Sequence, residues 1–169
     1  NSVTYNSSNL GSLVFNGYEN GQGPNPYVLL PTNTDFNFGS GDFTVEMWIY
    51  ANTGNDVSTF ISINSASGYA ALRLENYLSN NLDAFHSSDG ASHLIGKQST
   101  SFTANKWTHV AWVKNGTTYT VYRNGVQFAT RTAPASVELP AGNFWLGKVD
   151  NFLIGALDEV RVWNTAKTA

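Results

Sequence analysis

The sequence predicts an all-β protein whose short strands pack as a sandwich or a barrel. Of the 169 residues, 12% are charged and 14% are aromatic, and the balance is rich in Asn, Ser, Thr and Gly, which suit turns and strand faces. Short apolar runs alternate with turn clusters along the chain, and no helical apolar period of useful length appears. An Asn-Gly pair at positions 124 and 125, between two alternating runs, is typical of a β-hairpin.

The first half of the chain contains six runs with strand character. The clearest is 43–50, where apolar residues recur at every second position and are expected to point into one packed layer. The residues of that layer are Phe43, Val45, Met47 and Ile49. The predicted strands are 13–15, 27–30, 43–50, 59–63, 70–75 and 82–86.

The second half repeats this rhythm. A strand at 106–114 carries Trp107 and Trp112, and the runs 119–123 and 126–130 flank the Asn-Gly pair, whose two residues would both take positive φ in a type I′ turn. Further strands are predicted at 144–147 and 156–163. About ten to thirteen strands at this spacing favour a sandwich or barrel over alternating βα units.

Length and the absence of an internal repeat or linker indicate one domain, residues 1–169, which we expect to be excised from a larger protein. The net charge is −3 and the nine Lys and Arg residues are scattered, so nucleic-acid binding is not expected. No apolar run approaches the roughly 20 residues of a membrane span, so membrane insertion is not expected either. The chain has no cysteine, which excludes thiolate chemistry and Cys-ligated zinc.

Six segments occur in a specific order: LVFNG (13–17), YVL (27–29), GDFTVEMWI (41–49), WTHVA (107–111), YRNG (122–125) and GALDEVRVWN (155–164). Together they resemble a laminin-G-like domain of the concanavalin-A-like lectin/glucanase superfamily. The resemblance implies a two-sheet antiparallel jelly-roll sandwich, with ligand or calcium sites in rim loops or on a concave face. The family's hairpin more often has Asp-Gly than Asn-Gly, and either pair serves the turn.

The carboxylates argue against catalysis. Glycosidases of this superfamily place two glutamates and an aspartate on one strand face, and retaining hydrolysis needs two carboxyl groups about 5–5.5 Å apart. Glu46 stands alone in its strand, whereas Glu75, Asp83 and Asp89 fall on different predicted elements. The three histidines form no metal-binding pair. We therefore expect a protein that is not an enzyme.

Ligand contacts are expected in three polar loops, 18–25, 77–81 and 86–93, because loops on a rigid sandwich can vary without disturbing the core. The alternative for these segments is a solvated turn. Trp48, Trp107 and Trp112 are assigned to the core or to sheet-face packing, and Trp145 to a more exposed position. The candidate ligand-binding residues are Tyr18, Asn20, Asn25, Tyr77, His86, Asp89 and His93.

Asp158 is the candidate metal ligand. Period-2 alternation in 156–162 places its carboxylate on the side of Val160 and Val162, where it must be paired, hydrogen-bonded or metal-bound. One solution is hydrogen bonding to backbone N–H groups of an adjacent loop. The resemblance implies another, a structural calcium held by Asp158 together with Asn16 and Gly17.

These observations favour a non-catalytic module that binds a carbohydrate or glycoconjugate, or serves adhesion, and that is calcium-dependent if the Asp158 site forms. The alternative is a structural or protein-interaction domain of a larger cell-surface or phage virion protein. The charge-poor, Asn/Ser/Thr-rich composition and the resemblance both favour an extracellular, cell-surface or virion location.

Overall fold

The protein forms two antiparallel β-sheets packed face to face, as a computed structural model shows. The structure describes residues 3–6, 11–16, 26–52, 57–64, 70–77, 81–86, 100–101, 103–133, 143–148 and 152–168. Within these ranges the first half contains β1 (Thr4–Asn6), β2 (Ser12–Asn16), β3 (Val28–Leu30), a 3₁₀ turn (Thr34–Phe36), β4 (Phe43–Ala51), β5 (Val57–Asn64), β6 (Ala70–Tyr77) and β7 (Asn81–His86). The second half contains β8 (Thr100–Ser101), β9 (Thr108–Asn115), β10 (Thr118–Arg123), β11 (Val126–Thr132), β12 (Phe144–Leu146) and β13 (Ile154–Trp163).

The seven-stranded sheet has the order β1-β2-β13-β4-β9-β10-β11, and the six-stranded sheet has the order β3-β12-β5-β6-β7-β8. The chain crosses repeatedly between the sheets, and the last strand, β13, inserts between β2 and β4. This arrangement confirms the predicted two-sheet antiparallel jelly-roll sandwich. In the described ranges, no helix has the length and apolarity needed to span a bilayer.

Strand β4 forms the centre of the core as its alternation predicts. Its four apolar side chains, Phe43, Val45, Met47 and Ile49, are each no more than 1% exposed. Trp112 and Tyr119, on β9 and β10, pack edge-on against the ring of Phe43 with centroid distances of 5.8 and 6.3 Å. Burial raises the pKa of the Tyr119 hydroxyl.

The β10–β11 hairpin turns at Asn124 and Gly125, both of which have positive φ, 49° and 76°. This confirms the turn conformation predicted for the Asn-Gly pair. The Asn124 side-chain oxygen also accepts a hydrogen bond from the His109 backbone N–H, and the Asn124 N–H donates to the His109 carbonyl, both at 2.9 Å. The turn is therefore tied to the beginning of β9.

Lys114 is a buried lysine at the end of β9. Its ammonium donates to the carbonyl oxygens of Ser40 and Gly41, both at 2.8 Å, and lies 3.9 Å from the Asp42 carboxylate. Burial lowers the pKa of Lys114, and the Asp42 carboxylate opposes that shift. Lys114 thus anchors the turn before β4 to the sheet.

Lys114→Met is expected to destabilise the protein by about 1–3 kcal/mol, because the Ser40 and Gly41 carbonyl groups lose their charged donor while the volume is nearly kept. Since the folded-state pKa of Lys114 is lowered, the unfolded chain binds more protons between that pKa and the ordinary value of 10.5. Stability contributed by this group therefore rises with pH through that window in the wild type and not in the variant.

Urea denaturation of both proteins from about pH 8 to about pH 10 measures the difference. The opposite slope contributed by Tyr119, whose pKa is raised from the ordinary value of 10.0, acts mainly above this window. Lys106→Met, which removes a lysine from an exposed position, is the control and should leave stability unchanged. If the free energy of unfolding changed with pH identically in wild type and Lys114→Met, the lowered pKa of Lys114 would be contradicted.

Candidate functional site

Most of the predicted ligand-binding residues lie outside the described part of the chain. They are Tyr18, Asn20, Asn25, Asp89 and His93. The backbones of Tyr77 and His86 are described and lie at opposite ends of the β6–β7 ladder, since Tyr77 pairs with Asn81 and His86 with Leu72. Five residue steps, about 17 Å, separate them. A ligand smaller than that span cannot contact both positions.

The expected side for Asp158 is wrong. Asp158 pairs with Trp48 and Arg161 pairs with Glu46, so two residues of β13 stand opposite one residue of β4. Glu159 takes a φ of 51° at this bulge, and its backbone N–H donates to the Asp158 carboxylate at 2.8 Å. The bulge reverses the alternation, and Asp158 lies on the outer face of the sheet while Leu157 and Val162 point into the core.

The register also separates the implied calcium ligands. Asn16 pairs with Ile154, four residues before Asp158 on the same strand, a distance of about 13 Å along the ladder. Calcium binds oxygen atoms at 2.3–2.6 Å, so one ion cannot be held by both residues. Gly17 lies outside the described residues. Among the described residues, no three His, Asp or Glu side chains are grouped as metal ligands.

The outer face of the seven-stranded sheet carries a row of exposed tryptophans. Trp48, Trp107 and Trp163 are 39%, 37% and 38% exposed, well above what core packing allows. We call this surface the tryptophan face and define it by Glu46, Trp48, Trp107, His109 and Trp163. Trp163 pairs with Thr44 at one end of β4, and Trp107 lies against Tyr50 at the other, with a ring centroid distance of 5.5 Å. The face is therefore about 20 Å long, six residue steps.

Glu46 lies at the centre of this face and is 20% exposed in its side chain. Its Oε1 accepts a hydrogen bond from the Trp163 indole N–H at 2.9 Å and lies 4.0 Å from an Arg161 guanidinium nitrogen. Its Oε2 lies 3.5 Å from His109 Nε2, and the His109 ring stands edge-on to Trp48 at a centroid distance of 5.3 Å. Three strands thus fix one carboxylate among aromatic rings.

The chain end after β13 folds across one end of this face. The Thr44 hydroxyl donates to the Thr165 carbonyl and accepts from the Lys167 backbone N–H, both at 2.9 Å. The Lys167 ammonium lies 4.3 Å from the centre of a Trp163 ring. Residues 164–168 therefore form a wall beside Glu46.

These positions decide between the two alternatives that the sequence left for the tryptophans, core packing and sheet-face packing. Trp112 is 1% exposed and belongs to the core, as expected. Trp48 and Trp107 are on the surface; since Met47 and Ile49 point inward, period-2 alternation alone required Trp48 to point outward. Trp145 is partly buried, stands edge-on to Tyr27 and lies 4.6 Å from the Lys148 ammonium.

The six-stranded sheet brings together two carboxylates that the sequence placed on separate elements. Glu75 and Asp83 are directly paired across β6 and β7, and are 0% and 1% exposed. Arg73 Nε donates to Glu75 at 2.7 Å, and the guanidinium lies 5.4 Å from the centre of the Phe85 ring. Because both carboxylates are buried, a polysaccharide cannot reach them unless the surrounding residues move. They therefore cannot act together as acid and nucleophile in this conformation.

A groove of about 480 Å³ opens between the two sheets beside the β13 bulge. Its lining is largely apolar and includes Leu13, Leu30, Phe36 and Phe144. Binding sites for small polar ligands need a few convergent polar groups, and the described lining is apolar apart from the bulge residues Asp158 and Glu159, of which Asp158 lies on the outer face of the sheet. This groove supports sugar recognition less well than the tryptophan face does.

A family model described as the concanavalin A-like lectin/glucanases superfamily matches residues 20–169. Solved structures that share the fold include three binding proteins. The binding domain of Paraclostridial Mosquitocidal Protein 1 is 16% identical with a TM-score of 0.71, over 93% of this chain and 41% of that one. A putative carbohydrate binding protein from Bacteroides ovatus is 19% identical with a TM-score of 0.63, over 84% and 42%. The binding domain of Botulinum Neurotoxin DC, in complex with SialylT, is 15% identical with a TM-score of 0.74, over 98% and 42%.

The chain spans less than half the length of each of these three proteins. Their identity to this chain is below 20%, so the likeness establishes the fold alone. No curated protein matches the sequence.

Proposed function

Because the chain belongs to the concanavalin A-like lectin/glucanases superfamily, we propose that it is a non-catalytic module that binds glycans through the tryptophan face. The observation that carries this proposal is the exposure of Trp48, Trp107 and Trp163 along one sheet face around a hydrogen-bonded carboxylate. Aromatic rings stack on the C–H faces of sugars, and carboxylates accept hydrogen bonds from hydroxyl groups. A face about 20 Å long suits an oligosaccharide.

The carboxylates of this face are arranged for binding. Glu46 is engaged by the Trp163 indole, and Asp158 on the neighbouring strand accepts the Glu159 backbone N–H. Hydrolysis of a polysaccharide that disappears in Glu46→Gln would overturn the non-catalytic assignment.

An extracellular, cell-surface or virion location is part of the proposal. The fold is shared with the binding domain of Botulinum Neurotoxin DC and with a putative carbohydrate binding protein, and the low charge content agrees with such a location. Calcium binding stays a prediction for this chain. The register limits it, since an ion at Asp158 would need oxygen ligands other than Asn16.

A glycan array probed with and without calcium tests the function. We expect selective glycan binding by the wild type and at least a tenfold loss in Trp48→Ala and Trp163→Ala, because each substitution removes a stacking surface. Leu29→Ala is the matched control, since Leu29 is 43% exposed but lies on the six-stranded sheet. A requirement for calcium would place metal ligands outside the Asp158–Asn16 pair.

Two results would contradict the proposal. A blank array together with a defined protein partner would favour the structural or protein-interaction domain, whose interface could use the same exposed aromatic residues. Glycan binding that is lost in Tyr18→Ala and retained in Trp48→Ala would place the ligand in the polar loops and remove it from the tryptophan face.

A further inference from the structure

A cleft of about 210 Å³ lies on the outer face of the seven-stranded sheet, between the centre of the tryptophan face and the β10–β11 hairpin. We call it the Glu46 cleft and define it by the lining residues Glu46, His109, Ala111, Tyr122 and Lys167. Pockets that hold drug-sized ligands begin near 300 Å³. The Glu46 cleft is therefore the size of a single ring with its substituents.

The register explains why the sheet is indented here. Ala111 pairs with Glu46 on one side and with Tyr122 on the other, so a small side chain stands between two larger ones. Val113, the next outward-facing residue on β9, also lines the cleft. The floor of the Glu46 cleft is therefore recessed and apolar. Glu46 and Tyr122 form its walls, and residues 164–168 close one end.

The walls offer both acceptors and donors. A carboxylate has about four lone-pair sites, and Trp163 takes one of those on Glu46, so acceptor positions remain for hydroxyl groups. The Lys167 ammonium carries three donors, and the Trp163 ring holds it at the cleft. The His109 ring contacts Trp48, and the His109 backbone is hydrogen-bonded to the side-chain oxygen and the N–H of Asn124.

The charged residues of the described lining are one acid and one base. Glu46 and Lys167 both line the same small space. An acidic sugar would meet the Glu46 carboxylate, and an amino sugar would meet the Lys167 ammonium. An uncharged ring with hydroxyl groups on adjacent carbons can donate to Glu46 and accept from Lys167 while its apolar face lies on Ala111 and Val113.

We infer that the Glu46 cleft binds one neutral pyranose residue of the glycan that the tryptophan face holds. This inference rests on the proposed function and names the site and the class of sugar. Tyr122 lies beside the pyranose ring, and Glu46 and Lys167 bind its hydroxyl groups. The neighbouring sugar residues of the glycan lie along the tryptophan face.

The test is a titration with methyl pyranosides of neutral hexoses, uronic acids and hexosamines, and with any oligosaccharide that binds on the array, followed by amide NMR shifts and calorimetry. We expect neutral hexosides to shift the amides of β9 and β10. Ala111→Leu should reduce affinity at least tenfold because it fills the floor and leaves every polar wall group, and Glu46→Gln should also weaken binding. Thr132→Leu places a leucine at an exposed position at the far end of β11 and should bind as the wild type does.

Melting temperatures close to the wild-type value show that the variants are folded. Oligosaccharide binding that is unchanged by both Ala111→Leu and Glu46→Gln would overturn the cleft and leave the proposed function standing. A preference for uronic acids or hexosamines would overturn the neutral class. Absence of any glycan binding by the wild type would remove the proposed function and the cleft together.

Discussion

Gly155→Ala is expected to destabilise the protein by about 4 kcal/mol or more, the range reached when a substitution breaks a packed backbone contact. Gly155 is the second residue of β13 and pairs with Ala51 on β4 and Phe15 on β2. A Cβ atom there would overlap the Tyr50 carbonyl oxygen and lie 3.1 Å from the Ala51 Cα atom. These are backbone atoms in the middle of the sheet, so they cannot move aside without breaking the ladder. The φ of 153° is also strained for a residue with a side chain.

Gly125→Ala is the matched control. Gly125 also has positive φ, 76°, but a Cβ atom there would meet nothing within 4 Å. Its cost is expected to be about 1 kcal/mol, the conformational penalty without the clash. Urea denaturation of the two variants and the wild type measures the difference. Equal costs for the two substitutions would show that β4 and β13 approach less closely than described.

The regular parts of the fold could be predicted because each depends on residues close in sequence. The alternation of β4 placed Phe43, Val45, Met47 and Ile49 in the core, and the Asn-Gly pair located the β10–β11 turn. The short strands β1 and β8 were not predicted. Three or two residues are too few to show a period, and their pairing is decided by the neighbouring strand.

The β13 bulge could not be predicted from the alternation that it interrupts. Residues 156–162 give no sign of an interruption in the period-2 alternation. Glu159 has positive φ, which glutamate rarely adopts. The bulge is decided by the fit of β13 between β2 and β4, a tertiary effect. The same bulge places Asp158 on the outer face, opposite to the side that the alternation predicts.

The candidate site illustrates the same limit. Glu46 and Trp163 are 117 residues apart in sequence, and their contact depends on the order β13-β4-β9. The exposure of Trp48 could have been deduced from the inward direction of Met47 and Ile49. Its grouping with His109 and Trp163 could not, because strand order and register are needed to know which outward-facing residues meet.

Trp112→Ala and Trp48→Ala are expected to separate stability from binding. The two tryptophans lie on adjacent strands of one sheet and point to opposite faces. Trp112 is 1% exposed and packs against Phe43 and Tyr119, so its removal leaves a large cavity and should cost about 3–5 kcal/mol. Since small domains are stable by about 5–15 kcal/mol, this loss is a large part of the total.

Trp48 is 39% exposed, and it packs against the ring of His109 on the neighbouring strand β9. Its replacement by alanine leaves no enclosed cavity, so the stability cost should be near 1 kcal/mol. Urea denaturation and the glycan array, applied to both variants, should show opposite effects of the two substitutions. Trp112→Ala should lower the denaturation midpoint strongly and keep glycan affinity while folded, whereas Trp48→Ala should keep the midpoint nearly unchanged and lose affinity. A loss of stability in Trp48→Ala as large as in Trp112→Ala would mean that the exposed tryptophans stabilise the sheet. Their exposure would then no longer support the tryptophan face as a binding surface.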